Sequence, residues 1–439
     1  MKIAVFGLGK LGSCIAAVLA QKHTVVGVDV NPDVVEAITA GQPPPRVSEP
    51  ALNELLEAAF GRGSISATLD PIKAISGADM AIIIVPTPSR SDGLFASDYV
   101  ADALNKIAFS LNSMDALPAH PLTVVIVSTL TPGSVDALNA QINMMLEQDD
   151  EVELIYSPVF VALGSVVHNL CNPDALLIGT GNGTETRGAQ LWQALLQDAV
   201  YNGAVPVKLM TWTGAEMSKL TLNVFLSVKS LWANEIAILA QAAGVNASPI
   251  LEFIGLDRRI GPKMLRPGFP PGGPCLPRDV RCMFSFARLY EISTNMLSAL
   301  LKAKDQQFAF IANEIALLSM DVPVGIVGFA YKPGTPITED SGAINLARLL
   351  WQKHGIETVL YDIEATLPEG LPKEIASTTS LDELLDACPV VVIGTDDLRY
   401  IHLLEEADLD ATVIYDVWGL LRGRTVARGL NYFCFGENP

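Results

Sequence analysis

Residues 2–12 read KIAVFGLGKLG, a short apolar run that passes at once into Gly7-x-Gly9-x-x-Gly12. The run suits a buried strand, and three glycines at this spacing suit a strand-to-helix turn. The first permits the tight turn, the second lets backbone approach a bound group, and the third lets the helix pack on the strand. A second strand-like run, TVVGVD, ends in Asp29, 22 residues after Gly7. Together these features predict a β-α-β unit of a doubly wound α/β sheet. The helix N-terminus offers unsatisfied N–H groups and a positive dipole end, which suit a diphosphate. An acid at the end of the second strand suits ribose hydroxyls and repels a 2′-phosphate, so the pattern favours NAD over NADP. A glycine-rich turn holding no ligand is the alternative. The early lysine and apolar stretch also resemble a secretory leader, but the spaced glycines fit strand, turn and helix better.

The alternation continues along the chain. MAIIIVPTP (80–88) and LTVVIVSTLTPG (122–133) are continuous apolar runs, as expected of strands covered on both faces. Thr87 and Thr129 fall at their carboxyl ends, where ligands of such sheets bind. Each could equally be a helix cap. After about residue 320 the pattern restarts in VPVGIVGFAY, TVLYD, PVVVIGTD and ATVIYDVWG, which predict a second doubly wound domain. That domain is either a second nucleotide-binding half or purely structural. Between them, residues 213–244 form the longest helical pattern without an internal proline. A chain of 439 residues is too long for one ordinary core. The expected architecture is two Rossmann-like domains, 1–205 and 313–439, joined by a long central helix within a helical domain at 206–312.

Half of the residues are hydrophobic and 18% charged, which fits a globular chain. The net charge of −19 argues against nucleic acid and anionic membranes as partners. No uninterrupted apolar run reaches the roughly 20 residues of a spanning helix. Six scattered cysteines, with no CxxC pair and no histidine cluster, argue against disulfides and metal and for a reducing cytoplasm. One of them, Cys275, lies in PPGGPCLPRD (270–279), where prolines forbid regular structure. Arg258, Arg259, Lys263, Arg266, Arg278 and Arg281 surround it, with Asp279 the single acid of that window. This is either a solvated basic surface or a loop-built anion site. On the long helix, Lys219 and Asn223 are four apart and share a face. Lys219 is either a snorkelling surface residue or, with Asn223, a pair that holds a hydroxyl and stabilises the charge left by hydride removal.

These motifs in this order resemble the UDP-glucose/GDP-mannose dehydrogenase family over nearly the whole chain. The resemblance is carried by the glycine motif, Val85-Pro-Thr-Pro88, Ser128-Thr129 with Pro132-Gly133, and a helix bearing Glu216, Lys219, Asn223 and Asn234-Glu235. Gly272-Gly273-Pro-Cys275-Leu-Pro-Arg278-Asp279 and Gly328-Phe-Ala-Tyr-Lys332-Pro-x-Thr335 complete it. It implies a nucleotide-sugar 6-dehydrogenase that takes the sugar C6 alcohol to a carboxylate in two NAD-dependent steps. Cys275 would capture the aldehyde and carry a thioester. Lys219, Asn223, Asp279 and Thr129 would be its catalytic partners. Gly7, Gly9, Leu11, Gly12, Asp29, Thr87 and Thr129 would contact NAD. Lys219, Asn223, Arg266, Gly272, Gly273, Arg278 and Lys332 would meet a UDP- or GDP-sugar, with the remaining basic residues of 258–278 near its diphosphate. A homodimer, built in part on the long helix, is also implied.

The chain departs from the family pattern. Where the family reads Pro-Glu-Phe-Leu-Arg-Glu-Gly, this chain has Pro158-Val159-Phe160-Val161-Ala162-Leu163-Gly164, and both carboxylates are gone. The first is the one assigned to activating water for thioester hydrolysis. Glu339 stands two before Ser341 where the family has arginine. Arg278 replaces a lysine and keeps its charge. Two further readings stay open: a two-electron NAD dehydrogenase in which Cys275 is idle, and a non-catalytic partner that only binds NAD or a sugar nucleotide.

Overall fold

The structure is a computed structural model that describes residues 1–114, 120–147, 151–201, 203–407, 409, 412–424 and 431–437. The chain divides into two compact units, Met1–Thr221 and Leu222–Pro439.

The first unit is built on an eight-stranded sheet. Its strands are β1 (Lys2–Phe6), β2 (Thr24–Val28), β3 (Ile65–Thr68), β4 (Met80–Ile83), β5 (Leu122–Ile126), β6 (Val152–Tyr156), β7 (Leu176–Thr180) and β8 (Val207–Thr211). Their spatial order is β3-β2-β1-β4-β5-β6-β7-β8. All neighbours are parallel except β6 and β7, which pair antiparallel. Alternate residues of β1 feed opposite faces: Ile3 and Val5 join one buried core, Ala4 and Phe6 another. Burial on both faces is why these strands read as unbroken apolar runs. The order reverses between β1 and β4, which places the Gly7–Gly12 turn and Val85–Thr87 at the switch point.

The second unit carries a six-stranded parallel sheet. It consists of β9 (Val324–Val327), β10 (Thr358–Tyr361), β11 (Ile375–Thr378), β12 (Val390–Ile393), β13 (Val413–Asp416) and β14 (Asn431–Cys434). The order is β11-β10-β9-β12-β13-β14, again reversing beside the first strand. The four strands expected in this region are present; Ala411, the first residue of the run read as β13, lies outside the described residues. The expected pair of Rossmann-like sheets with intervening helices is therefore the fold observed.

The helix read from 213–244 spans Trp212–Ala242, 31 residues. By length and composition alone it is long and apolar enough to cross a membrane, but Glu216, Lys219, Lys229 and Glu235 interrupt it, so no apolar run reaches that length. Two of its polar residues are buried and bonded within the fold. Asn234 donates to Gln307 Oε1 (3.1 Å) and accepts from Gly268 N (3.0 Å). Glu216 accepts backbone N–H groups of the first unit.

Candidate active site

The glycine turn has the geometry its spacing predicts. Gly7 sits at φ +92°, and a Cβ there would lie 2.4 Å from the Ile84 carbonyl oxygen. A Cβ on Gly12 would lie 1.9 Å from the Gly7 carbonyl oxygen, so the helix Lys10–Leu19 packs on the turn only because Gly12 has no side chain. At Gly9 a Cβ would meet nothing within 4 Å, which leaves the backbone open to an approaching group. Leu11 is half-buried against the core. Asp29 accepts from Leu8 N (2.7 Å) and Asn31 N (2.9 Å), which ties the end of β2 to the glycine turn. These residues fit an NAD diphosphate and ribose: an open glycine at a helix N-terminus, with a fixed carboxylate 22 residues after Gly7.

The loops after β4 and β5 are joined. Ser128 Oγ donates to Val85 O (2.7 Å) and accepts from Val85 N (2.9 Å), and Thr131 Oγ1 accepts from Phe95 N (3.0 Å). Thr87 is buried and Thr129 half-buried on these loops. Lys219 is half-buried, its ammonium 5.1 Å from the centre of the Phe160 ring, a cation–π distance. Phe160 belongs to the divergent segment 158–164. Its apolar neighbours Val159, Val161 and Leu163 pack against the core of the first unit. The segment is held from outside by Glu49, which accepts from Gly164 N (2.5 Å) and Val166 N (3.0 Å).

The second unit presents Cys275. None of the six cysteines is in a disulfide; Cys275 is exposed and the other five are buried. It caps the helix Leu276–Leu289, with Pro277 in the first turn. Such a position places a sulfur beside the amides of a helix N-terminus, which favour an anion. Both preceding glycines are needed for the loop to seat. A Cβ on Gly272 would lie 2.5 Å from the Asp340 carbonyl oxygen. Gly273 sits at φ +78°, and a Cβ there would lie 2.4 Å from the Tyr331 ring. The Gly273 amide also donates to Asp340 O (3.3 Å). Asp340, at φ 48°, is fixed by Lys304 (2.7 Å) and Asn345 (2.8 Å). The cysteine loop thus rests on a turn and an aromatic ring supplied from more than 50 residues further along the chain. We expect Gly273→Ala to combine backbone strain of about 1 kcal/mol with the ring collision and so reduce turnover. A second substitution, Tyr331→Ala, should restore part of the loss; purely additive losses would show that the ring is not the obstacle.

Beside the cysteine, Asp279 is only 1% exposed, and its Oδ2 accepts from Asn223 Nδ2 at 2.6 Å. Arg278 Nε stands 4.0 Å from Asp279 Oδ1. The structure therefore brings Asn223, Asp279, Arg278 and the Cys275 loop together. Arg266 is placed differently from a simple substrate cation. It makes a two-pronged contact with Asp396 (3.0 and 3.1 Å) and donates to Trp418 O. Arg259 pairs with Asp257 (2.6 Å). Two of the six basic residues are thus paired with acids outside the window, and of these acids Asp396 lies 130 residues on from Arg266, where the local sequence could not show it. Lys332 lies 5.8 Å from the Tyr331 ring centre, on the loop after β9. Glu339 is exposed.

Sequence reasoning gave no role to Glu216, Asp340 or Asp362. Asp362 follows β10 and accepts from Phe329 N (2.7 Å) and Ala330 N (2.8 Å), as Asp29 does for the first glycine turn. Gly328 (φ +85°) and the Asp at the end of the next strand were the available signal.

The sheet order and the glycine turn together define a dinucleotide-binding protein. The NAD binding domain of the UDP-glucose/GDP-mannose dehydrogenase family matches residues 1–198, the family's central domain 213–306, and its UDP binding domain 325–423. The UDP-glucose 6-dehydrogenase AglM of Haloferax volcanii is 31% identical over 418 residues, covering 93% of this chain and 94% of the relative. The GDP-mannose 6-dehydrogenase of Pseudomonas aeruginosa is 28% identical, covering 98% and 99% respectively. The solved UDP-glucose dehydrogenase of Pyrobaculum islandicum superposes with a TM-score of 0.87 at 28% identity, covering 99% of this chain and 97% of that one. The chain belongs to the UDP-glucose/GDP-mannose dehydrogenase family. It is an NAD-dependent oxidoreductase acting on a CH–OH group.

Proposed function

We propose that the protein oxidises the C6 hydroxyl of a UDP- or GDP-linked sugar to the carboxylate through a thioester on Cys275. The observation that carries this reading is the presentation of Cys275: the one exposed cysteine, at a helix N-terminus, on a loop shaped by two glycines and followed by a buried Asp279. NAD, held by Gly7, Gly9, Leu11, Gly12, Asp29, Thr87 and Thr129, supplies the hydride acceptor. Lys219 stabilises the hydroxyl oxygen as its proton leaves. The Cys275 thiolate adds to the aldehyde carbon, forming the C–S bond of a thiohemiacetal, whose oxidation to the thioester requires a second NAD as hydride acceptor. Water then cleaves that bond, releasing the carboxylate and restoring the thiol. Asn223 orients Asp279 for proton transfer near the sulfur. Arg278, Lys332, Arg266, Gly272 and Gly273 belong to the substrate side.

Hydrolysis proceeds here without a carboxylate from segment 158–164. Asp279, or a water held by Thr129 and Lys219, takes that role. The partition into 1–205, 206–312 and 313–439, a homodimer and a cytoplasmic setting belong to the same reading. Exposed Phe225, Trp232 and Leu239 on the long helix support the dimer. The direct test is mass spectrometry of Cys275 after a single turnover quenched in acid. An acyl adduct of sugar-nucleotide mass on its peptide is expected. A bare thiol at every quench time, with acid product accumulating, would exclude the covalent route.

A further inference from the structure

Glu216 is fully buried on the first turns of the long helix, and its carboxylate faces backbone N–H groups. Its Oε2 accepts from Gly133 N (2.6 Å) and its Oε1 from Val135 N (2.9 Å). These amides open the helix Ser134–Met145, which follows directly on the turn bearing Ser128 and Thr129. Gly133, at φ +88°, offers no side chain to cap that helix, so the carboxylate arrives from 83 residues away to do it. One turn further along its own helix stands Lys219. Thr213 adds a second tie, donating to Asp136 Oδ2 (2.8 Å) in the first turn of the capped helix.

We propose that Glu216 is a positioning residue, whose carboxylate locks the turn carrying Thr129 to the helix carrying Lys219. The consequence for turnover rests on the dehydrogenase reading above. A group displaced by about 1 Å from the productive geometry can lose roughly 100-fold of its effect, and this clamp restricts that freedom for two groups at once.

The electrostatic setting gives the lock a signature. Burial and the like charge of Asp136 push the Glu216 carboxyl up to about 7, against the opposing pull of the Gly133, Val135 and Ser134 amides. The folded protein therefore keeps the proton to a higher pH than the unfolded chain does. A protonated carboxyl accepts less strongly, so the lock tightens as pH rises through about 7. Overall stability moves the opposite way between the ordinary glutamate value of 4.5 and about 7, because over that interval the unfolded chain releases the proton while the folded protein keeps it; above about 7 both are ionised and stability no longer changes through this group.

The test uses the full-length, NAD-bound protein and the Glu216→Gln and Glu216→Asp variants. Glutamine keeps the size and one acceptor but turns an NH2 toward the other amide. Amide hydrogen exchange reports the lock without any sugar. Exchange across 128–135 is expected to be about 10-fold or more faster in Glu216→Gln, with the rest of the first sheet unchanged. In turnover, kcat is expected to fall roughly 10- to 100-fold with KM and NAD affinity within about 3-fold. The wild-type rise in kcat near neutral pH should be absent from Glu216→Gln and retained, at lower rate, in Glu216→Asp. Unchanged exchange across 128–135, or a kcat and pH profile matching wild type, would overturn the inference. Local loosening in a protein whose wild type oxidises no nucleotide sugar would uphold the lock and remove the dehydrogenase reading instead.

Discussion

Cys275→Ala is expected to abolish conversion of sugar nucleotide to acid, lowering turnover by about 1,000-fold or more. The fold should be unaffected, because the side chain is exposed and lies in the loop before a helix, not in a core. Unfolding temperature and NAD affinity are therefore expected to match the wild type. What disappears is covalent capture: without the sulfur, the aldehyde has no nucleophile to hold it for a second oxidation. Any NADH still formed should stop at one per sugar, with free aldehyde detectable by hydrazine trapping. Acid formation within a few-fold of wild type would assign Cys275 no chemical role, whereas one NADH per sugar in both wild type and variant would favour the two-electron reading.

Gly12→Ala should cost the protein both its cofactor and much of its stability, whereas Gly9→Ala should cost only the cofactor. The added methyl at Gly12 meets the Gly7 carbonyl oxygen at 1.9 Å and the Ile84 side chain at 2.9 Å. The nearer obstacle is backbone, so relief requires the helix Lys10–Leu19 to lift from the turn. Overpacking of this kind costs about 1–3 kcal/mol or more, and NAD affinity should fall at least about 100-fold with it. At Gly9 the methyl meets no protein atom within 4 Å, so the unfolding temperature should stay put. The methyl nevertheless occupies the space a diphosphate would approach through. Calorimetric titration with NAD and thermal unfolding of both variants separate the two effects. Equal unfolding temperatures for the two variants would show that the close approach at Gly12 is not structural.

What the sequence revealed and what it hid follow from the range of the interactions. The glycine turn, Asp29 and the long helix are local patterns, and each lies where its spacing predicts. The strands β3, β6, β7, β8, β11 and β14 were not anticipated. β3 is four residues ending in half-buried positions, and β8 is exposed or half-buried throughout, so neither produces a continuous apolar run. Cys275 was legible from the glycines and prolines around it, but the expectation that the prolines forbid regular structure over 270–279 is corrected: the helix Leu276–Leu289 begins directly after Cys275, and Pro277 sits in its first turn, where no N–H is needed. The reasons for the two glycines before Cys275 were not legible, since Tyr331 and Asp340 arrive from distant turns. Glu216 reads as one more member of a helix motif until Gly133 and Val135 appear opposite it. Arg266 shows the reverse: it stands in a basic window, yet its partner Asp396 lies 130 residues on. The loss of two carboxylates in 158–164 was plain in the sequence. Only the fold shows that Val159, Val161 and Leu163 are used to pack against the core of the first unit.

That substitution makes the number of oxidations per sugar the central quantity. NADH formed per nucleotide sugar consumed should be measured for the wild type across a panel of UDP- and GDP-hexoses and N-acetylhexosamines. The account predicts two NADH and one uronic acid for each sugar nucleotide consumed, with at least one member of the panel turned over continuously. One NADH per sugar with the aldehyde as final product, or a single burst that stalls on an acylated Cys275, would contradict it.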